Sequence, residues 1–397
     1  MKLSHRITHI TGSGSDGWDL YRKARALVNS GTPVVELTIG EHDIRTDPLI
    51  LDRMHRSALG GHTGYPGIPG IPSLRKAVAA RIQSRTGVPT DMDNVLITAG
   101  GQGALFASHQ AACDEGDRAL FIDPFYATYP GTVRSVGGVP VPVRARAEDG
   151  FQPRPEDIAV HAKGAKSLLI NSPNNPTGAV YSRSTLEGIC GVVKDHDLWL
   201  ISDEVYDTQV WSGAHLSPRA LPGMAERTLV IGSLSKSHAM TGSRIGWVCG
   251  PAEAIRYMLD LATNTNYGIP GFIQDAGLHA LSLGPEFEAG IAAPFLRRSK
   301  ITAELLAGQN VIRSLAIEGA MYVMLDVSAT GLDGESFAEA LLEQERIAVM
   351  PGSSFGAAAA AHVRVAMTVP DTDYAKALGR LLGFAASLAH RNGNRVA

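Results

Sequence analysis

Cysteine is scarce in this chain of 397 residues, which has only Cys113, Cys190 and Cys249. An odd number without metal-site spacing argues against a disulfide framework or a zinc site and points to the cytoplasm. Long apolar runs are missing too. No stretch of about 18 apolar residues offers a membrane span, and the opening Met1-Lys2-Leu3-Ser4-His5-Arg6-Ile7 lacks the apolar core of a signal peptide, so a soluble, unprocessed chain is expected. Neither sign of charge dominates, because 36 Lys and Arg stand against 39 Asp and Glu for a net charge of −3. That balance gives no reason to expect nucleic acid or an acidic membrane surface, which leaves small-molecule chemistry as the default. No internal repeat at solenoid spacing is present.

What is present is an alternation of strand-like and helix-length segments. Apolar runs at 94–98, 118–122, 167–170, 198–202, 228–231 and 245–249 predict strands of a mainly parallel sheet. Downstream, a helix is expected over 286–307, strands near 320–327 and 348–350, and a closing helix over 371–391. The Gly/Ser-rich stretch Thr11-Gly12-Ser13-Gly14-Ser15-Asp16-Gly17 reads as a loop or an arm that orders on binding. A length of 397 residues predicts two or three domains at roughly 150 residues each.

The most informative stretch is Ser233-Leu234-Ser235-Lys236, with Arg244 eight residues beyond the lysine. A lysine can form a Schiff base with an aldehyde cofactor, while serine hydroxyls and an arginine are donors suited to a phosphate. The competing reading is a solvated lysine in a Ser/Gly-rich loop. In Leu198-Trp199-Leu200-Ile201-Ser202-Asp203-Glu204-Val205-Tyr206 an apolar strand ends in Asp203, where a carboxylate can hold a pyridine nitrogen protonated or, alternatively, cap a following helix. In Asn171-Ser172-Pro173-Asn174-Asn175-Pro176-Thr177-Gly178 the turn chemistry leaves Asn175 free to bond a ligand oxygen.

The order and spacing of Asn175-Pro176-Thr177-Gly178, Asp203-Glu204-Val205-Tyr206 and Ser233-Leu234-Ser235-Lys236 with Arg244 resemble those of the class I and II aminotransferases. These are the aspartate aminotransferase-like group of fold type I pyridoxal phosphate enzymes. The resemblance runs from about Val34 to Val365. It implies an α/β fold, with a large domain built on a mainly parallel mixed sheet flanked by helices and a smaller α+β domain made from both chain ends. The division it implies is 1–45 as an N-terminal arm and part of the small domain, 46–285 as the large domain and 286–397 as the rest of the small one.

By the same resemblance, Lys236 carries the cofactor and moves the proton. Asp203 pairs with the ring nitrogen, Tyr206 and Asn175 bond the ring oxygen, and Tyr126 lies against the ring face. Ser233, Ser235, Arg244, Gly101 and Gln102 hold the phosphate, the last two at the start of a helix whose positive end suits an anion. Many relatives carry a hydroxyl where Gln102 stands. Arg364, placed among alternating apolar residues, is matched to the α-carboxylate of an amino acid, with help from Gly40 and Asn175; a strand-edge arginine facing water is the alternative. Tyr65, in a Gly/Pro-rich loop, matches a tyrosine that reaches the partner's cofactor phosphate in a homodimer.

The implied activity is transfer of an amino group between an L-amino acid and a 2-oxo acid by a ping-pong mechanism. A carbon-sulfur β-lyase on the same scaffold is the rival enzyme. A cofactor-binding regulator is remote, since too little chain precedes the resemblance for a helix-turn-helix. A distal cation for a dicarboxylic substrate is not apparent in Thr263-Asn264-Thr265-Asn266. His42 stands where relatives often carry proline, and Ser243 where many carry tryptophan; His42 is expected to be structural.

Overall fold

The computed structural model describes residues 1–12 and 17–396. Of the Gly/Ser-rich stretch, Ser13 to Asp16 therefore lie outside the described residues. Its larger sheet has seven strands: β1 (Val95–Ala99), β2 (Arg118–Asp123), β3 (Val139–Arg144), β4 (Ala165–Asn171), β5 (Trp199–Asp203), β6 (Thr228–Ser233) and β7 (Ile245–Cys249). They lie in the order β1-β7-β6-β5-β4-β2-β3. Only β7 runs against its neighbours, pairing antiparallel with β1 and β6, while the other pairings are parallel. Helices cover both faces, so the central strands are apolar along their whole length instead of alternating, and every residue of β6 and β7 is buried.

The sequence reading missed β3, whose Val-Pro-Val-Pro-Val-Arg looks hostile to pairing. Pro140 and Pro142 are tolerated because β3 is an edge strand bonded on one side only, where absent N–H groups cost no ladder bond.

A second sheet is antiparallel. It contains Arg313–Ser314, β8 (Tyr322–Asp326), β9 (His362–Ala366) and Met350–Pro351, with β9 between the last pair and β8. The expected helices appear as Gly284–Ala307 and Asp371–Val396. Near the other end of the chain, Val35–Glu36 pairs parallel with Ile347–Ala348, and Ala366 N–H donates to Leu37 O at 2.9 Å. One buried cluster accordingly joins Leu20, Ala24 and Leu37 to Phe337, Leu341 and Tyr374. This tether places Gly40, three residues beyond Leu37, against the open ends of the large sheet's strands.

Candidate active site

Parallel pairing brings the carboxyl ends of β4, β5 and β6 together, with Asn171 opposite Asp203 and Asp203 opposite Ile231. In open α/β sheets these ends face ligands. Here they border a cavity of about 320 Å³, closed from the other side by Gly40, Tyr322 and Arg364. Of the thirteen residues matched to cofactor or substrate, twelve line it: Gly40, Gly101, Gln102, Tyr126, Asn175, Asp203, Tyr206, Ser233, Ser235, Lys236, Arg244 and Arg364. The exception is Tyr65, which is 87% exposed and packs edge-on against Tyr267 at 5.1 Å, away from this cavity.

Lys236 sits in a single helical turn, Leu234–Ser237, that follows β6 directly. Ser233 caps the turn by accepting from the Ser235 N–H at 3.1 Å. The lysine is thus held between buried elements and not in a solvated loop. Its ammonium donates to the Gly40 carbonyl, and burial pushes its pKa below the ordinary value, favouring the neutral amine.

Asp203 is buried at the end of β5 and accepts from the Tyr129 hydroxyl at 2.7 Å. Burial raises its carboxyl pKa to about 6. The alternative role as a helix cap has nothing to cap, because residues 205–208 form turns.

Arg364 occupies the middle of β9, opposite Met324 and Met350, and is 1% exposed. The edge-arginine reading is overturned by this central position. Its guanidinium is sandwiched 4.4 Å from the Tyr322 ring and 4.3 Å from Phe355, donates to Asn175 Oδ1 at 2.9 Å and to the Thr38 carbonyl, and has a buried Nε without a partner. An unneutralised buried arginine in a cavity is matched by an anionic ligand. The Asn175 amide also approaches the Tyr206 hydroxyl at 3.5 Å, which lies 3.0 Å from that of Tyr322.

At the opposite end, helix Gly100–Ala112 begins directly after β1 without a side-chain cap, leaving main-chain amides open. Gly100 has a φ of +70°, and a Cβ there would meet the Arg244 guanidinium at 2.5 Å. Arg244 donates to the Thr241 carbonyl at 2.9 Å and lies beside the Ser233–Ser235 hydroxyl pair, whose oxygens are 2.9 Å apart. Gln102 engages its side chain with neighbours, donating to Thr132 at 2.7 Å and accepting from Thr128 at 3.0 Å, while its main-chain N–H lies at the uncapped start of the helix. His42 lies outside the cavity, edge-on to Phe295 at 5.3 Å, with its pKa lowered to about 4 chiefly by burial.

Sequence reasoning missed Tyr129 and Tyr322, both in this cavity. The quoted run Asp123-Pro124-Phe125-Tyr126-Ala127-Thr128-Tyr129-Pro130 contained the first, but only the fold shows that it reaches Asp203.

The model of the family "Aminotransferase class I and II" matches residues 32–381. The chain belongs to the class I and II aminotransferases. It is 38% identical over 390 residues to the arginine–pyruvate transaminase of Pseudomonas aeruginosa, covering 98% of this chain and 99% of that one. It is 36% identical over 384 residues to the aspartate/prephenate aminotransferase of Thermus thermophilus, covering 95% and 97%. Among solved structures, a double mutant of Thermus thermophilus aspartate aminotransferase superposes with a TM-score of 0.90 at 34% identity over 97% of this aminotransferase and 99% of that chain. Both relatives are named for amino-group transfer, and the family is one that uses pyridoxal phosphate. This aminotransferase therefore moves amino groups between amino acids and oxo acids, and none of the comparisons favours elimination chemistry. Among the described residues, no helix is long and apolar enough to cross a membrane.

Proposed function

We propose that this aminotransferase binds pyridoxal 5'-phosphate in the 320 Å³ cavity and uses it, in a cytoplasmic homodimer, to exchange amino groups between L-amino acids and 2-oxo acids by a ping-pong cycle. The observation that carries this reading is the convergence of Lys236, Asp203 and Arg364 on one cavity from three distant parts of the chain.

The donor set fits the cofactor from end to end. Open amides at Gly101 and Gln102, the Ser233 and Ser235 hydroxyls and Arg244 suit a phosphate, with Tyr65 of a second chain completing the set. Asp203 suits the ring nitrogen, Asn175 and Tyr206 the ring oxygen, and Tyr126 the ring face. When bound, the cofactor supplies an aldehyde and an electron-withdrawing ring that acidifies the substrate's α-carbon.

The chain's own residues do the remainder. Arg364, with Asn175 and the Gly40 amide, holds the α-carboxylate and so fixes which bond of the α-carbon faces the ring. Lys236, whose burial favours the neutral amine, would take the α-proton at Nζ. Asp203 would hold the ring nitrogen in its protonated form, and Tyr129 steadies that carboxylate. The two substrates use the site in turn, so one carboxylate clamp serves both. Among the described residues, the cations lining the cavity are Lys236, Arg244 and Arg364, each already assigned. Among the described residues lining this cavity no further cation is left for a second carboxylate, which favours substrates with one.

A spectral titration tests the reading. Purified protein supplied with pyridoxal phosphate is expected to show a visible band that monocarboxylic amino acids convert to that of the amine form, and that a 2-oxo acid restores. Release of pyruvate and ammonia from a cysteine conjugate without an oxo acid acceptor, and no such conversion, would overturn it in favour of a lyase.

A further inference from the structure

Tyr322 touches several parts of the proposed machinery without having a task in it. It opens β8 opposite Ala366 of β9 and is 2% exposed, so both backbone pairing and burial fix its ring. The hydroxyl stands 3.0 Å from that of Tyr206 and packs so tightly on Gly40 that a Cβ there would collide with it. One ring face carries the Arg364 guanidinium at 4.4 Å. The other charged or titratable groups facing it are Lys236, Tyr126 and Tyr206, with Glu41 and Asp203 along the same cavity wall.

Hydrogen-bond accounting gives the contact a direction. Tyr206 has one hydroxyl proton, and burial with neighbouring tyrosines holds its pKa well above the ordinary value, so the proton stays on. In the function proposed above that proton is donated to the cofactor's ring oxygen. It is then unavailable to Tyr322, and the 3.0 Å contact must be donated by Tyr322 and accepted by Tyr206. A hydroxyl that accepts one hydrogen bond becomes a stronger donor in the next.

We propose that Tyr322 is a positioning residue that donates to Tyr206 and thereby aims and strengthens the Tyr206 hydrogen bond to the ring oxygen, while its ring face separately supports Arg364. This inference rests on the cofactor reading of the preceding subsection. It divides one side chain into two separable parts, a hydroxyl that tunes the cofactor and a ring that serves the carboxylate clamp.

The test compares holoenzymes of wild type, Tyr322→Phe and Tyr322→Leu by two equilibrium readouts: the pH midpoint of the cofactor's visible band, and the dissociation constant of propionate, a carboxylate that cannot react. Tyr206 donation stabilises negative charge on the ring oxygen and so favours proton loss, which means weaker donation raises the midpoint. Tyr322→Phe is expected to raise it by a few tenths of a pH unit, the cooperative fraction of one charge-assisted hydrogen bond, while propionate affinity stays within about twofold because the ring remains. Tyr322→Leu is expected to raise the midpoint and also weaken propionate roughly threefold to tenfold. An unchanged midpoint in Tyr322→Phe overturns the donation. Equal weakening of propionate by both variants overturns the division of labour and makes the residue merely structural. If wild type develops no visible band, the cofactor reading fails, and the inference with it.

Discussion

Asp203 is kept from water at the end of a strand, and this has a measurable cost when no cofactor is bound. Its folded pKa of about 6 lies above the ordinary 3.8, so the folded state holds the proton more tightly than the unfolded state between those values. Stability from this group is therefore greatest below pH 4, falls as pH rises, and is fully lost above pH 6. Asp203→Asn removes the penalty; in the cofactor-free protein it is expected to exceed wild type by up to about 3 kcal/mol at pH 8, with the gap closing near pH 4. Denaturant titrations at the two pH values check this. Cofactor loading should reverse the order, since only the carboxylate can pair with a protonated ring. Lys236→Ala is expected to lower turnover on the order of 10⁴-fold or more with the circular dichroism spectrum retained. Arg364→Ala should leave the cofactor's visible band intact and reduce kcat/KM for amino acids about 10- to 100-fold, the scale of lost charge-assisted hydrogen bonds. That Lys236, Asp203, Asn175 and Arg244 belong to one site was legible in the sequence because each sits in a short contiguous pattern, and they do line one cavity. Tyr129 and Tyr322 were not legible, because a core tyrosine and a site tyrosine look alike until the fold brings them to Asp203, 74 residues away, and Tyr206, 116 residues away.

Elements rather than side chains set the end of the cavity proposed for the phosphate, and glycines let them approach. At Gly246, in β7, a Cβ would meet the Gly100 carbonyl carbon and the Gly232 oxygen at 2.7 Å, and both are backbone that cannot swing aside. β7 is thereby pressed against the first residue of the helix that offers its amides. Gly246→Ala is expected to destabilise the fold by about 1–3 kcal/mol through overpacking and to push that helix end out of line. Thermal unfolding reads the first effect and inorganic phosphate binding the second; normal phosphate affinity in a destabilised variant would separate the two. Apolar runs predicted six of the seven strands of this sheet, because central strands buried on both faces must be apolar throughout. The seventh, β3, carries prolines that only an edge position admits, and edge position is a property of the sheet, invisible in the strand's own residues.

At the scale of the whole molecule, the chain's two ends meet through Leu37, Ala348 and Ala366, which brings Gly40 and Arg364 to the same wall. Tyr65 is different, since it stands exposed beside Tyr267 and off the cavity of its own chain. If it serves a partner's phosphate site, each active site draws on two chains, and a mixture of defective chains can recover activity that neither shows alone. Lys236→Ala homodimers lack the amine in both sites, and Tyr65→Ala homodimers lack the tyrosine in both. In a mixed dimer, one site combines the Lys236 of the Tyr65→Ala chain with the Tyr65 of the Lys236→Ala chain and is whole, while the other carries both defects. Random mixing makes about half of the dimers mixed, so activity near a quarter of wild type per chain is expected after unfolding and refolding the two variants together, above the Tyr65→Ala baseline. If Tyr65 acted within its own chain, every Lys236-bearing site would still lack its tyrosine, and mixing would restore nothing.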